Sequence, residues 1–185
     1  MKKHILTACL YTLVTAVALG LVYPLVITLI AKAAFPAQAE GQLIHSNGEL
    51  IGSKLIGQPF TGVGYFHSRP SAAGTGYDAS SSSGSNLAPT NKALIARVDA
   101  SVIAEHQTGD VPVDLVTASG SGLDPDISPA AALYQIPRIA TERHIPDAQL
   151  RTLVLQHITQ RQFGLLGEPR VNVLELNLAL NKLQQ

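Results

Sequence analysis

The run "YDASSSSGSNLAPTN" from Tyr77 to Asn91 gathers hydroxyls, amides and glycine around a single carboxylate. Such groups serve a phosphate cradle, a slack linker, or a loop that presents donors and acceptors to a partner. A phosphate cradle needs the order G-x-x-x-x-G-K-[ST] ahead of a helix, which this chain does not contain. Gly62 and Gly64 are paired, but they lack the third glycine and the strand-to-helix context of a dinucleotide fingerprint. In "ASGSG", Ser119 stands where a nucleophile elbow needs its first glycine. His45, His67, His106, His144 and His157 show no i, i+4 pairing, so no metal site is read from them. Asp124 and Asp126 flank Pro125 and predict a rigid turn ahead of Ser128, with acid–base work as a second reading. No catalytic residue is assigned.

Serine and glycine composition by itself suits a flexible linker. Asn86, Thr90 and Asn91 add directional hydrogen bonding, and an amphipathic helix follows at once, which favours a shaped loop that meets a partner. Tyr77, Asp78, Gly84 and Ser85 complete the candidate contact set.

The elements that position this loop begin with an anchor. From Ile5 to Ala31 no residue is charged, a stretch of about 27 residues where about 20 suffice to cross a bilayer. A cleaved signal peptide is the alternative, since "AQA" at Ala37–Ala39 has the small-x-small form, but signal cores run only about 7–15 residues. Residues 5–31 are therefore read as a transmembrane helix, 32–40 as a connector and 41–185 as a folded domain. Lys2 and Lys3 precede the span, which predicts a cytoplasmic N-terminus and places the domain across the membrane, in the periplasm of a bacterium. Ala8, Thr12, Ala16 and Gly20 recur every four residues, either as a helix-docking face or as the small residues common in membrane helices. Pro24 predicts a bend. Cys9, the only cysteine, lies in the span, so the domain has no thiol chemistry. Thirteen basic residues balance thirteen acidic ones, which argues against nucleic acid as a partner.

Beyond the connector, Asn47-Gly48 between two aliphatic runs signals a hairpin. "GYFHSRP" reads as an extended piece and "VPVDLVT" as a strand. A helix starts near Thr90 as cap, with Leu94, Ile95, Val98 and Val102 on one face. Ser128-Pro129 starts another helix, which Pro137 should kink or divide. Asp147 is expected to cap a third, with Leu150, Leu153, Val154, His157 and Ile158 inward. "RVNVLELNLALNKL" alternates like a strand, yet Asn172 is a helix cap; a strand entering a short helix reconciles the two. The fold class is mixed α+β, tethered by one N-terminal span.

"GYFHSRPSA", "YDASSSSGSNLAPTNKAL", "VPVDLVTASGSGLDPDISPAAALYQIPRIA" and "LLGEPRVNVLELNLAL", in that order after a single span, resemble the C subunit of the bacterial Kdp potassium-transporting ATPase. The resemblance covers essentially the whole chain and implies a non-catalytic accessory subunit in the inner membrane. Its implied partners are a channel-like A subunit that carries K⁺, a B subunit that hydrolyses ATP, and a small F subunit. It also implies a catalytic chaperone that raises the ATP affinity of the B subunit, with ATP shared between the two. A periplasmic domain cannot touch cytoplasmic ATP, so that effect would pass through the span and neighbouring subunits. The competing readings are a membrane-anchored enzyme and a secreted binding protein.

Overall fold

The computed structural model describes residues 1–46, 48–107 and 109–183, in two compact units, Met1–Ile51 and Gly52–Gln185. In the first unit, α1 (Lys2–Val17) passes through a π-helical turn (Ala18–Val22) into α2 (Tyr23–Ala34). Together they form one helix of 33 residues, long and apolar enough to cross a membrane. At the α-helical rise it reaches about 50 Å. The widened turn sits immediately before Pro24, where the missing N–H and the pyrrolidine ring disturb the regular ladder; Tyr23 N–H donates to Ala18 O, five residues back. The hydroxyls of Thr7, Thr15 and Thr28 donate to carbonyls of their own preceding turns, as an apolar solvent demands. A short helix, α3 (Pro36–Ala39), precedes β1 (Leu43–Ser46) and β2 (Glu49–Ser53), which form a two-stranded sheet. The expected hairpin strands are present; of the turn pair, Gly48 has φ +84° and Asn47 lies outside the described residues.

The second unit is built on a three-stranded antiparallel sheet, β3 (Asp126–Ile127), β5 (Arg170–Asn172) and β4 (Ile158–Thr159), with β5 central. Val171 is paired with Ile127 on one side and Ile158 on the other. Helices α5 (Pro129–Tyr134), α6 (Ile136–Arg143), α7 (Asp147–Gln156) and α8 (Val173–Lys182) complete the core with Ile136, Ile139, Leu150, Val154, Leu176 and Leu180. Ser128 caps α5 with Pro129 behind it, and the helix is divided before Pro137 as expected. Asn172 accepts from Glu175 N–H at 3.1 Å and turns β5 directly into α8. The alternating leucines of that segment therefore belong to a helix, not a strand.

Elsewhere the expectations fail for identifiable reasons. "VPVDLVT" is no strand: Val113–Leu115 is a 3₁₀ turn, because Leu115 and Val116 both bury and Asp114 accepts from Ser128 N–H at 2.8 Å. Asn91, not Thr90, caps the next helix, α4 (Lys92–Glu105), accepting from Ala93 N–H at 2.8 Å. Pro146 occupies the cap position of α7, and Asp147 stands in its first turn, where a carboxylate suits the helix dipole. α7 stops at Gln156; His157 becomes its C-cap, and Ile158 leaves for β4 because pairing with Val171 satisfies its backbone.

"GYFHSRP" joins no strand ladder, yet Phe66 is fully buried and His67 half-buried, and side chains satisfy their peptide groups. The Asn177 side chain accepts from Phe66 N–H at 2.9 Å and donates to Phe66 C=O at 2.9 Å. Gln135 does the same for His67, at 2.7 Å to the N–H and 3.2 Å to the C=O. Asn177→Leu, which keeps the volume and removes both bonds at Phe66, is expected to cost about 3 kcal/mol by orphaning a buried donor and acceptor. Thermal denaturation with amide exchange at Phe66 checks this; unchanged protection there would contradict it.

Candidate functional site

The serine-rich loop is folded against the segment 117–124. Its entry is fixed by Ser71, whose hydroxyl donates to Gly122 C=O at 2.5 Å and accepts from the N–H groups of Tyr77 (2.8 Å) and Ala73 (3.2 Å). Tyr77 adopts φ +57° and returns its phenol O–H to Arg69 C=O. Asp78 accepts from the N–H and the hydroxyl of Ser80 at 2.9 and 2.7 Å, and those bonds lower its carboxyl pKa. Ser83 N–H and Ser82 O–H both donate to Ser121 C=O, at 2.9 and 3.0 Å. This two-point lacing makes the run a shaped loop rather than a slack linker.

Close approach explains the glycines. A Cβ on Gly122, at φ +66°, would stand 2.6 Å from Ser83 O and 2.7 Å from Ala73 N. Gly84 packs on Gly120, with 3.0 Å from its notional Cβ to the carbonyl oxygen. Asn86 is exposed in the left-handed region at φ +52°, a conformation asparagine tolerates better than most residues. Ser85 is half-buried, Thr90 is exposed, and Asn91 is committed to its cap. Of the seven contact candidates, Tyr77, Asp78 and Gly84 therefore build the loop, while Asn86 and Thr90 lie on its open side.

Arg69 ties the loop to its support. Its guanidinium pairs with Asp124 at 3.2 Å and reaches the carbonyl and hydroxyl of Thr117 at 3.5 and 3.4 Å. Two hollows flank it. One, of ≈ 270 Å³, is lined by Phe60, His67, Tyr77, Glu105 and Leu115, with His67 Nδ1 2.7 Å from the Glu105 carboxylate. Burial pushes the Tyr77 phenol above its ordinary range, and Asp124 adds to the rise. The other hollow, of ≈ 440 Å³, is lined by Asp114, Asp124, Asp126, Glu168 and Arg170. Here Asp126 pairs with Arg170 at 3.0 Å, but burial outweighs that partner and raises its pKa, with Asp124 and Glu175 adding to it. Each member of the Asp124/Asp126 pair thus has its own arginine. Asp124 also accepts from Asp126 N–H at 3.1 Å, which makes the expected turn around Pro125. Arg69, Ser71 and Gly122 escaped the sequence reading. A serine after Pro70 was the available signal for a turn anchor, whereas the Arg69–Asp124 partnership spans too much sequence to be seen.

In the first unit, Ala8, Thr12 and Ala16 line one shallow furrow along α1 with Cys9 and Leu13. Gly20 lies in the π turn, with open space where its side chain would be.

The family model described as "K+-transporting ATPase, c chain" matches residues 5–182. This chain belongs to that family. It is 65% identical over 183 residues to a "Potassium-transporting ATPase KdpC subunit" of Acidobacterium capsulatum, covering 98% of this chain and 99% of the relative. Proteins of the same name from Koribacter versatilis and Gemmatimonas aurantiaca are 57% and 54% identical, covering 100% and 99% of this chain and 97% and 94% of their own lengths. The loop and its support fall within the matched residues, as does the N-terminal helix from Ile5 onward.

Two predictions follow the geometry of the loop and its charged flank. Gly122→Ala should cost about 2 kcal/mol or more, since it adds a Cβ against backbone at a left-handed position; limited proteolysis should then cut between Asp78 and Asn86, where the wild type resists. Asp126→Asn should raise the melting temperature near pH 7. A carboxyl whose pKa is raised by folding stabilises the fold while protonated and loses that contribution as pH rises through the folded value. The advantage of the amide should shrink as pH falls toward the ordinary carboxylate range, and a constant difference across that range would refute the assignment.

Proposed function

We propose that this chain is a non-catalytic accessory subunit of a bacterial ATP-driven potassium importer. The observation that carries the reading is the end-to-end likeness to proteins named as the KdpC subunit of such an ATPase. Its partners on this reading are the K⁺-carrying A subunit, the ATP-hydrolysing B subunit and the small F subunit. The long apolar helix holds it in the inner membrane, with Lys2 and Lys3 on the cytoplasmic side and the folded domain in the periplasm. The furrowed face of Ala8, Thr12 and Ala16, continued by Gly20, suits close helix packing against a polytopic neighbour.

The serine-rich loop is the extramembrane contact. Its hydroxyls and amides offer hydrogen bonds without an acidic cluster that would hold a cation at the K⁺ entrance. Support for the B subunit's ATP affinity, the catalytic-chaperone role, acts at a distance through the helix and the A subunit. Direct sharing of ATP would require the domain on the cytoplasmic side.

Cysteines introduced at Ser46 and Ser121 in a Cys9→Ser background report the side of the membrane. Both should react with a membrane-impermeant thiol reagent on intact cells. Protection that disappears on lysis, with the isolated subunit reactive, would overturn the periplasmic placement. Asn86→Gly with Thr90→Ala, which removes both exposed side-chain groups while sparing the loop backbone, should lower K⁺ uptake or recovered complex about fivefold or more, of the order expected for two interfacial hydrogen bonds. Wild-type values in both assays would remove the loop from the interface.

A further inference from the structure

Helix α4 buries none of its residues, whereas α5 to α8 each bury several. Its C-terminal end is tied to the core at Glu105. There Tyr134 O–H donates to Glu105 C=O at 3.3 Å and accepts from Gln107 N–H at 3.0 Å. The Glu105 carboxylate stands 2.7 Å from Nδ1 of His67, and Nε2 of the same ring stands 3.2 Å from Gly62 C=O. Both neighbours of the ring are acceptors, since an ionised carboxylate and a backbone carbonyl have no proton to offer. A neutral imidazole has one N–H and one lone pair, so it serves one neighbour and turns a lone pair on the other. The imidazolium serves both. The His67 and Glu105 side chains are 18% and 16% exposed, so solvent screens their attraction weakly.

The two halves of this contact differ in how firmly they are mounted. His67 is held through its own peptide group by Gln135, while Glu105 rides on a helix with no buried residue. The charged and titratable groups around the pair are Arg138 on α6, Arg69 and Tyr77 in the hollow that His67 and Glu105 line, and His106, the exposed C-cap of α4. Arg69 is paired with Asp124, Tyr77 donates to Arg69 C=O, and Arg138 donates to Val63 C=O and Gln135 Oε1. Burial lowers the Arg138 pKa, and the nearby Glu105 charge opposes that fall. We infer that His67 and Glu105 form a proton-operated latch, which fastens the C-terminal end of α4 to the clamped segment when the ring carries both protons and loosens when it gives one up. Deprotonation leaves one N–H for two acceptors and removes the charge from the bond that stays. Because α4 begins at its Asn91 cap, where the serine-rich loop ends, the latch also governs how firmly the far end of that loop is held. It is a property of the fold and needs none of the partners proposed above.

The latch is full while the ring is protonated and is lost as pH rises. Hydrogen exchange of the full chain in detergent, read by mass spectrometry and corrected for the pH dependence of the intrinsic rate, tests it. Measurements at about pH 5.5 and about pH 8 lie on either side of the ordinary histidine range and above that of carboxylates. Between them, protection of Lys92–Glu105 should fall about fivefold or more, as expected when a charge-assisted bond becomes a neutral one, while α8 keeps its protection. His67→Gln should remove the pH dependence at α4, and so should Glu105→Gln, which keeps an acceptor and removes the charge. Equal protection of α4 at both pH values in the wild type overturns the inference. A fall that α8 shares overturns it too, being a loosening of the whole unit, and so does a dependence that survives His67→Gln, which would belong to His106. If His67→Gln lowers the protection of α8 as well, Glu105→Gln decides by the same criterion.

Discussion

Two buried side-chain amides take the place of a missing strand, and the loop side of the second unit depends on them. Asn177, 1% exposed, and Gln135, 0% exposed, satisfy the peptide groups of Phe66 and His67 as a neighbouring strand would. Gln135 Oε1 also accepts from Arg138 at 2.7 Å, and its amide nitrogen also donates to Ala131 C=O at 3.3 Å, so neither end of the side chain is left bare. Buried amides are costly when half-satisfied and specifying when complete, because slipping the segment by one residue would orphan several groups at once. The register they impose sends Phe66 into the core and His67 toward Glu105. It also sets where Arg69 and Ser71 emerge to gather the loop.

How much of this was legible follows from the range of each interaction. Local chemistry could be read: the Ser128–Pro129 start, the division before Pro137, the Asn172 cap and an apolar span at 5–31, which lies inside the longer helix Lys2–Ala34. Errors arose where a contact distant in sequence outvoted the local pattern. Alternation in "VPVDLVT" gave way because Leu115 and Val116 both find the core, and the apolar stripe of α7 was cut short by the pairing of Ile158 with Val171. The choice between Thr90 and Asn91 as cap was beyond the pattern, since both are competent and adjacent. For the loop, composition indicated hydrogen-bonding capacity, but its lacing to Ser121 and Gly122 is non-local. The amide clamps were invisible for the same reason: Asn177 reads as one polar residue on a leucine-rich helix until Phe66 is placed beside it.

Stability is unevenly distributed over the second unit, and the unevenness bears on how it would bind. The core lies in β3, β5 and helices α5 to α8, whereas α4 contributes no buried residue and leaves Ile95 and Ile103 at 50% and 78% exposure. A helix with so little burial draws its order from its Asn91 cap and from a few tertiary bonds such as that of Tyr134 O–H, which donates to Glu105 C=O at 3.3 Å. The loop before it is different in kind. Its turns are held by bonds to Ser71, Ser121 and Gly122, so its groups are already oriented before any partner arrives.

Binding through a pre-shaped loop avoids the ordering cost that a serine-rich linker of the same composition would incur on association. That difference matters for a chain with few aromatics and no net formal charge. Fixing even a few residues costs about 1–2 kcal/mol each, comparable to what a good interfacial hydrogen bond returns. A slack version of the same sequence would spend its contacts on ordering itself. The lacing therefore does for the hydroxyl-rich loop what the amide clamps do for residues 66 and 67: backbone groups are satisfied within the fold, while Asn86 and Thr90 stay exposed on the open side.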